Sequence, residues 1–356
     1  MIESRQQSNA QSAVRLAQGI AELPARPAIL GQAAVGGKTE GEGPLGQKFA
    51  EVFAHSEMDE KCWEMAETRL QQAALRHAMA AAGCEPASLD LHLGGDLLNQ
   101  CSASNFTMRD SAWPFAGLYS ACATFAQSLA VGALMMAGGG LSRISACASS
   151  HFCAAEKQFR YPLEYGGQPS PTAQRTATAA GAVVLGAADG THRTQISHVM
   201  FGRVTDLGVT DANEMGAAMA PAAWDTIKRF LDATHTAPQD YDCILTGDLG
   251  GIGSALLLEL AQRERQMDLS GIHQDGGLLL YNAGEQDAGM GGSGAGCSAA
   301  VLCADILPRL HMGELKNVLF IGTGALLSAT SPLQGESIPA VAHGVKLVSS
   351  CQEEIK

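Results

Sequence analysis

The chain has 356 residues, 46% of them hydrophobic and 17% charged, enough for one large α/β unit or two ordinary domains with a substantial core. Its 36 acidic against 23 basic side chains leave a formal net charge of -13, with no Lys/Arg-rich run to offset it. That balance excludes nucleic acid as an expected partner and weakens any direct attraction to anionic lipid.

The ten cysteines are scattered and never spaced as C-x-x-C, which argues against a disulfide framework and a structural zinc site. The opening "MIESRQQSNAQSAVRLAQG" has no apolar signal core, so the thiols are expected to be reduced. No apolar run reaches about 18 residues without interruption, and no spanning helix is expected. The expectation is a protein that is soluble or rests on a membrane through a partner.

In chain order, residues 1–19 read as a polar leader. A strand near "PAILGQAAV" and a long Gly-rich loop come next. The stretch "WEMAETRLQQAALRHAMAAAG" has helical apolar spacing and stops at Gly83, which suits a left-handed helix end. "LDLHLGGDLLNQ" then reads as a strand followed by a glycine turn.

The rest of the chain echoes this part. "LDLHLGGDLLNQ" (89–100) recurs as "YDCILTGDLGGIGS" (241–254), each an apolar strand ending in Gly-Asp-Leu. The segment led by Cys122, "CATFAQSLAVGALMMAGGGLSRISACAS", recurs as that led by Cys297, "CSAAVLCADILPRLHMGELKNVLFIGTGA". The helix-rich stretch before the first strand has a counterpart in "MAPAAWDTIKRFLDATHTAPQ". Three pairs in the same order predict a duplication, with halves at 20–193 and 194–356 about a pseudo-twofold axis. Strand–helix alternation predicts α/β units with mainly parallel sheets and ligands at the strands' carboxyl ends. Asp96, Asp248, Cys122 and Cys297 then belong at strand ends or helix starts around one central site.

Cys122 heads an alanine-rich helix. A cysteine there is either a buried small apolar residue or a thiol that the helix N-terminus acidifies. As a nucleophile it also needs a base and an oxyanion hole. His151 and His343 lie near strand ends and read as core or loop histidines or as pocket residues. His273, in "IHQDGG", follows a helix and is discounted as a base. "QFRYPLEYGGQ", with Arg160, reads as a solvated loop or as a lid. "RTATAAGAVVLG" lacks the spacing of a nucleotide-binding loop.

The duplicated layout and "YSACATFAQSLAVGA" resemble thiolases and β-ketoacyl synthases, whose acyl-accepting cysteine heads a buried helix. The resemblance is closer to the stage V sporulation protein AD family. It is carried by "FRYPLEYGGQ", "GRVTDLGVTDANEMGAAMAPAA", "DYDCILTGDLGGIGS", "GGSGAGCSA" and "ESIPAVAHGV", from about residue 27 to about 347. It implies a thiolase-like fold layered α-β-α-β-α, and a subunit of the spore channel for dipicolinic acid. It further implies a peripheral place on the spore (forespore) inner membrane, with the other channel subunits as partners and a homodimer left open.

Against the condensing-enzyme pattern, the sequence has Asp248 in "TGDLGG" where a catalytic histidine is expected. It has "GMGGSGAG" in place of an asparagine or second histidine, and "AVAHGV" in place of a second cysteine. The expected function is therefore non-catalytic binding of dipicolinate through Cys122, Asp96, Asp248, His151 and Cys297. No resident cofactor or metal is expected, with calcium entering only as part of the ligand. For a dianion on an acidic protein, the carboxylates would meet helix N-terminal N–H groups, or calcium would bridge them to Asp96 or Asp248. The alternatives are an acyl-CoA or acyl-carrier-protein condensing enzyme using Cys122, and a scaffold with no small ligand.

Overall fold

A computed structural model describes residues 12–350 except 110, 160–166, 189, 191–193 and 283. The first half supplies β1 (Ala28–Gly37), α1 (Trp63–Ala81), β2 (Leu91–Gly95), α2 (Ser102–Arg109), β3 (Phe115–Gly117), α3 (Thr124–Ala137), β4 (Arg143–Ser150) and β5 (Ala179–Gly186). The second supplies β6 (Thr194–Met200), α4 (Met215–Thr234), β7 (Cys243–Thr246), α5 (Gly250–Arg265), β8 (His273–Asp275), α6 (Ala295–Val301), β9 (Asn317–Ala325) and β10 (Ala340–Ser349).

The strands run β8-β7-β9-β10-β6-β1-β5-β4-β2-β3, and the order reads the same from its centre outward in both directions. In the first half β5 is antiparallel to β1 and β4, while β2 is parallel to β4 and β3. In the second, β10 is antiparallel to β6 and β9, while β7 is parallel to β9 and β8. The two sets meet where β6 runs antiparallel to β1, at Gln195 and Ala28.

Helices α3 and α6 lie between the two sets of strands; α3 touches β2 and β4 of one and β9 and β10 of the other. Its sequence is apolar on every side, as a helix buried all round requires. Helix α1 covers β1, β4 and β5 from outside, and α4 covers β9 and β10, completing five layers. Small residues make the contacts close: a methyl on Gly181 of β5 would stand 2.4 Å from the carbonyl oxygen of Ala299 in α6. After Val301 the same helix widens into a π turn over Leu302–Ile306 and then resumes over Leu307–Met312. Pro308 explains the widening, because it has no N–H for the Ala304 carbonyl and its ring would clash there in a regular helix.

Part of the stretch read as a polar leader is built into the sheet. Val14–Ala17 forms a strand that pairs with Ile20–Glu22, which in turn pairs with β6. Val14 and Leu16 are exposed, so tertiary pairing rather than an apolar pattern makes this hairpin. In "QFRYPLEYGGQ", residues 160–166, Arg160 among them, lie outside the described residues.

Candidate functional site

The chain enters α3 through a tight turn. Ala121 adopts a left-handed φ of +49°, strain of roughly 1–2 kcal/mol for a residue with a Cβ. Thr124 holds the turn: its Oγ1 donates to the Ala121 carbonyl at 2.6 Å and accepts from the Ser120 N–H at 3.0 Å. Cys122 therefore sits just before the N-cap Ala123, facing a narrow crevice. This crevice holds about 420 Å³ of unoccupied space, its mouth included, at the low end for small-molecule sites. Its walls are mostly apolar, from Leu97, Phe159, Met215 and Leu327, with Tyr119, Thr176 and Ser293 as the other polar contributors.

The start of α6 lies opposite. Gly294 is its N-cap, with a φ of +109°, and a Cβ there would stand 2.5 Å from Ser150 Oγ. Counted from the two N-caps, the residue equivalent to Cys122 is Ser293, not Cys297. Cys297 lies one turn inside the helix, fully buried and away from the crevice lining. The expected equivalence of the two cysteines is thus off by four residues.

Asp248, at the end of β7, joins the two helix starts. Its carboxylate accepts the Gly294 N–H at 2.8 Å and the Thr323 hydroxyl at 2.7 Å. The Cys122 thiol lies beside it, near enough for each group to shift the other's titration. Burial pushes the Asp248 carboxyl up to about 7. Burial first, then the Asp248 charge, pushes the Cys122 thiol well above its usual range. The arrangement favours the protonated form of the Cys122 thiol. The carboxylate also fills the anion site that the N-terminus of a helix offers.

The histidines stand aside. His343 Nδ1 accepts the Gly202 N–H at 3.2 Å, so its proton is on Nε2, which lies 3.1 Å from Ser120 Oγ and donates to it. Burial holds its pKa near about 4. His151 is buried, stacked on Trp63 and bonded through Nε2 to the Ser56 carbonyl at 2.9 Å. His273 pairs with Thr246 on the far edge strand.

Asp96 is also fully buried and does not line the crevice; its neighbour Leu97 does. Its oxygens accept the N–H groups of Leu98 at 2.9 Å and Ser104 at 2.8 Å, and the Ser104 hydroxyl at 2.7 Å. Ser104 continues through Gln71 and Ser149 to Glu67, a buried polar chain between α1, α2 and β4. Of the five expected site residues, the structure brings Cys122 and Asp248 together, and only Cys122 faces the space. The Asp96 and Asp248 carboxylates serve turn amides and hydroxyls, and neither lines the crevice. Among the described residues, no group of three or more His, Cys, Asp or Glu is placed to hold a metal.

Sequence reasoning missed Tyr119, Thr176 and Ser293. Thr176 and Ser293 face each other in a two-residue parallel ribbon, Arg175–Thr176 with Gly292–Ser293. Nothing local in either segment announces that pairing.

The family described as stage V sporulation protein AD (SpoVAD) matches residues 18–348. The stage V sporulation protein AD of Bacillus subtilis (strain 168) is 44% identical over 310 residues, 87% of this chain and 90% of that protein. The chain belongs to the stage V sporulation protein AD family. Among solved structures, this SpoVAD-family chain is similar to 3-oxoacyl-[acyl-carrier-protein] synthase III from Aquifex aeolicus VF5. That likeness has a TM-score of 0.55 at 12% identity, over 91% of this chain and all of the other. A variant of OleA from Xanthomonas campestris gives 0.58 at 12%, over 95% and 99%. At such identities the likeness shows the fold alone: SpoVAD-family architecture here is thiolase-like, two duplicated α/β halves.

Proposed function

We propose that this chain is a sporulation protein that binds dipicolinic acid, free or as its calcium chelate, without catalysing its turnover. In this reading it is a subunit of the spore channel that moves dipicolinate during sporulation and germination. It rests on the inner membrane through the other channel subunits. The family and the name of the Bacillus subtilis relative support the sporulation setting. Among the described residues no helix is long and apolar enough to cross a membrane, in keeping with a peripheral place.

The observation that carries the non-catalytic part is the Cys122–Asp248 contact. A condensing enzyme puts a neutral or positive donor where charge develops on the thioester oxygen. A carboxylate beside the thiol opposes both thiolate formation and an enolate. Isothermal titration with dipicolinate, with and without calcium, tests the binding: saturable heat is expected, and its absence in both conditions overturns the ligand. The strained turn that presents Cys122 favours the second reading, a condensing enzyme. Acylation of Cys122 by acetyl-CoA, above a Cys122→Ala control, would establish that reading instead.

A further inference from the structure

Among the described residues the crevice at Cys122 has no cationic side chain on its lining, although a dicarboxylate needs one or an equivalent set of donors. The missing charge lies next door. Successive side chains of an extended segment point to opposite sides. While Thr176 faces the Cys122 crevice, Arg175 faces a second cavity. That cavity encloses about 1080 Å³, open mouth included, and its lining includes Phe152, Glu156, Gln168, Pro169, Asn213 and Asp287.

Arg76, Arg203, Arg265 and Arg309 are each ion-paired with a carboxylate. Arg175 has no such pair among the described residues, and its Nε is buried with no acceptor. Arg15, Arg26 and Arg143 also lack an ion pair among the described residues, but Arg175 differs from them in having a buried, unbonded Nε. The guanidinium lies 4.4 Å from the centroid of the Phe152 ring, which fixes its plane. Two acids share the cavity lining, Glu156 and Asp287, and Glu40 lies near. Glu156 accepts from the Thr176 hydroxyl at 3.2 Å, and Glu40 accepts from Tyr281 at 2.5 Å and from the Thr178 N–H at 3.1 Å.

We propose that Arg175 is the carboxylate-recognising group of a second site, which takes a small organic anion into the cavity beside Phe152. A planar guanidinium fixed by an aromatic ring presents paired donors to a carboxylate. The proline and phenylalanine walls suit a carbon skeleton better than inorganic phosphate, and the Gln168 and Asn213 amides add neutral polar contacts. The site stands on these residues; the dipicolinate reading supplies only the choice of first probe.

The test is titration of dipicolinate and isophthalate, the latter lacking the pyridine nitrogen, into wild-type, Arg175→Gln, Arg175→Lys and Cys122→Ala proteins. Circular dichroism and Tm check that each variant is folded. Arg175→Gln is expected to weaken both probes about tenfold or more, and Arg175→Lys to recover part of the loss. Loss of isophthalate binding in folded Cys122→Ala, with Arg175→Gln unchanged, would put the probe in the first crevice and overturn the proposal. Wild-type affinity in folded Arg175→Gln would overturn the proposal. If wild-type protein binds no dipicolinate, the functional reading fails by itself. The Arg175 side-chain Nε–H resonance, followed by NMR during isophthalate addition, then decides this proposal: a saturable shift supports it and an unmoved resonance refutes it.

Discussion

The two Gly-Asp-Leu turns start from the same place and end differently. Asp96 and Asp248 each follow an inner strand of their half, and both are fully buried. Asp96 spends its oxygens within its own half, on Leu98 and Ser104. Asp248 reaches Gly294 at the start of α6 and the thiol of Cys122 from the other half. Duplication therefore supplied two equivalent carboxylates, of which one became a local cap and the other a clasp between halves. In the second half the local role passed to Asp275, which accepts the N–H groups of Leu249 at 2.7 Å and Gly250 at 2.9 Å.

The sharpest way to break this comparison is Asp248→Ala. It leaves a buried amide and a hydroxyl without their acceptor, and is expected to destabilise by about 3 kcal/mol. Urea unfolding measures the loss. Hydrogen exchange should show faster opening at the starts of both α3 and α6.

Acidity gives the next largest effect. The Asp248 carboxyl, raised to about 7 in the folded protein, holds its proton where the unfolded chain has released it. Its contribution is fully present below the unfolded value of about 4 and declines as pH rises to about 7, by at most about 1.4 kcal/mol per unit. The wild-type minus Asp248→Asn difference in urea midpoint, followed from pH 4.5 to 7.5, isolates this slope from those of the other buried acids. A flat difference would mean that Asp248 is charged throughout.

Asp96→Ala should cost about 2 kcal/mol, with the loss of exchange protection confined to α1 and α2. Loosening at α6 as well would erase the distinction between cap and clasp. Cys122→Ala is the mildest change, at about 1 kcal/mol, since it removes one small buried group. A much larger loss of stability would show that the thiol is a structural member of the clasp.

The architecture was legible because its signals are local. Alternating apolar strands and Ala-rich helices repeat in order, and the Gly-Asp-Leu ends mark the same strand termini twice. The site was legible in part. Sequence placed Asp96 and Asp248 at strand ends, but which amides a carboxylate meets depends on the following turn. The match of Cys297 to Cys122 slipped by four residues, about one helical turn, because an Ala/Gly-rich helix keeps its small-residue character when shifted by a turn. Arg175, Thr176 and Ser293 were beyond reach for another reason: a two-residue ribbon joins segments more than a hundred residues apart.

The closeness of α6 to β5 has a kinetic consequence. With Gly181 and Ala299 in near backbone contact, and α3 wedged against both sets of strands, the layers have no slack along which to slide. Hinge closure of one half upon the other, the slow motion by which many receptors trap a ligand, would tear open the most tightly packed part of the molecule. Access to Cys122 is then governed by the rim, by rotamer changes of Tyr119, Met215 and Leu327. Such changes take nanoseconds to microseconds, so a ligand would exchange without waiting for the body of the protein to move.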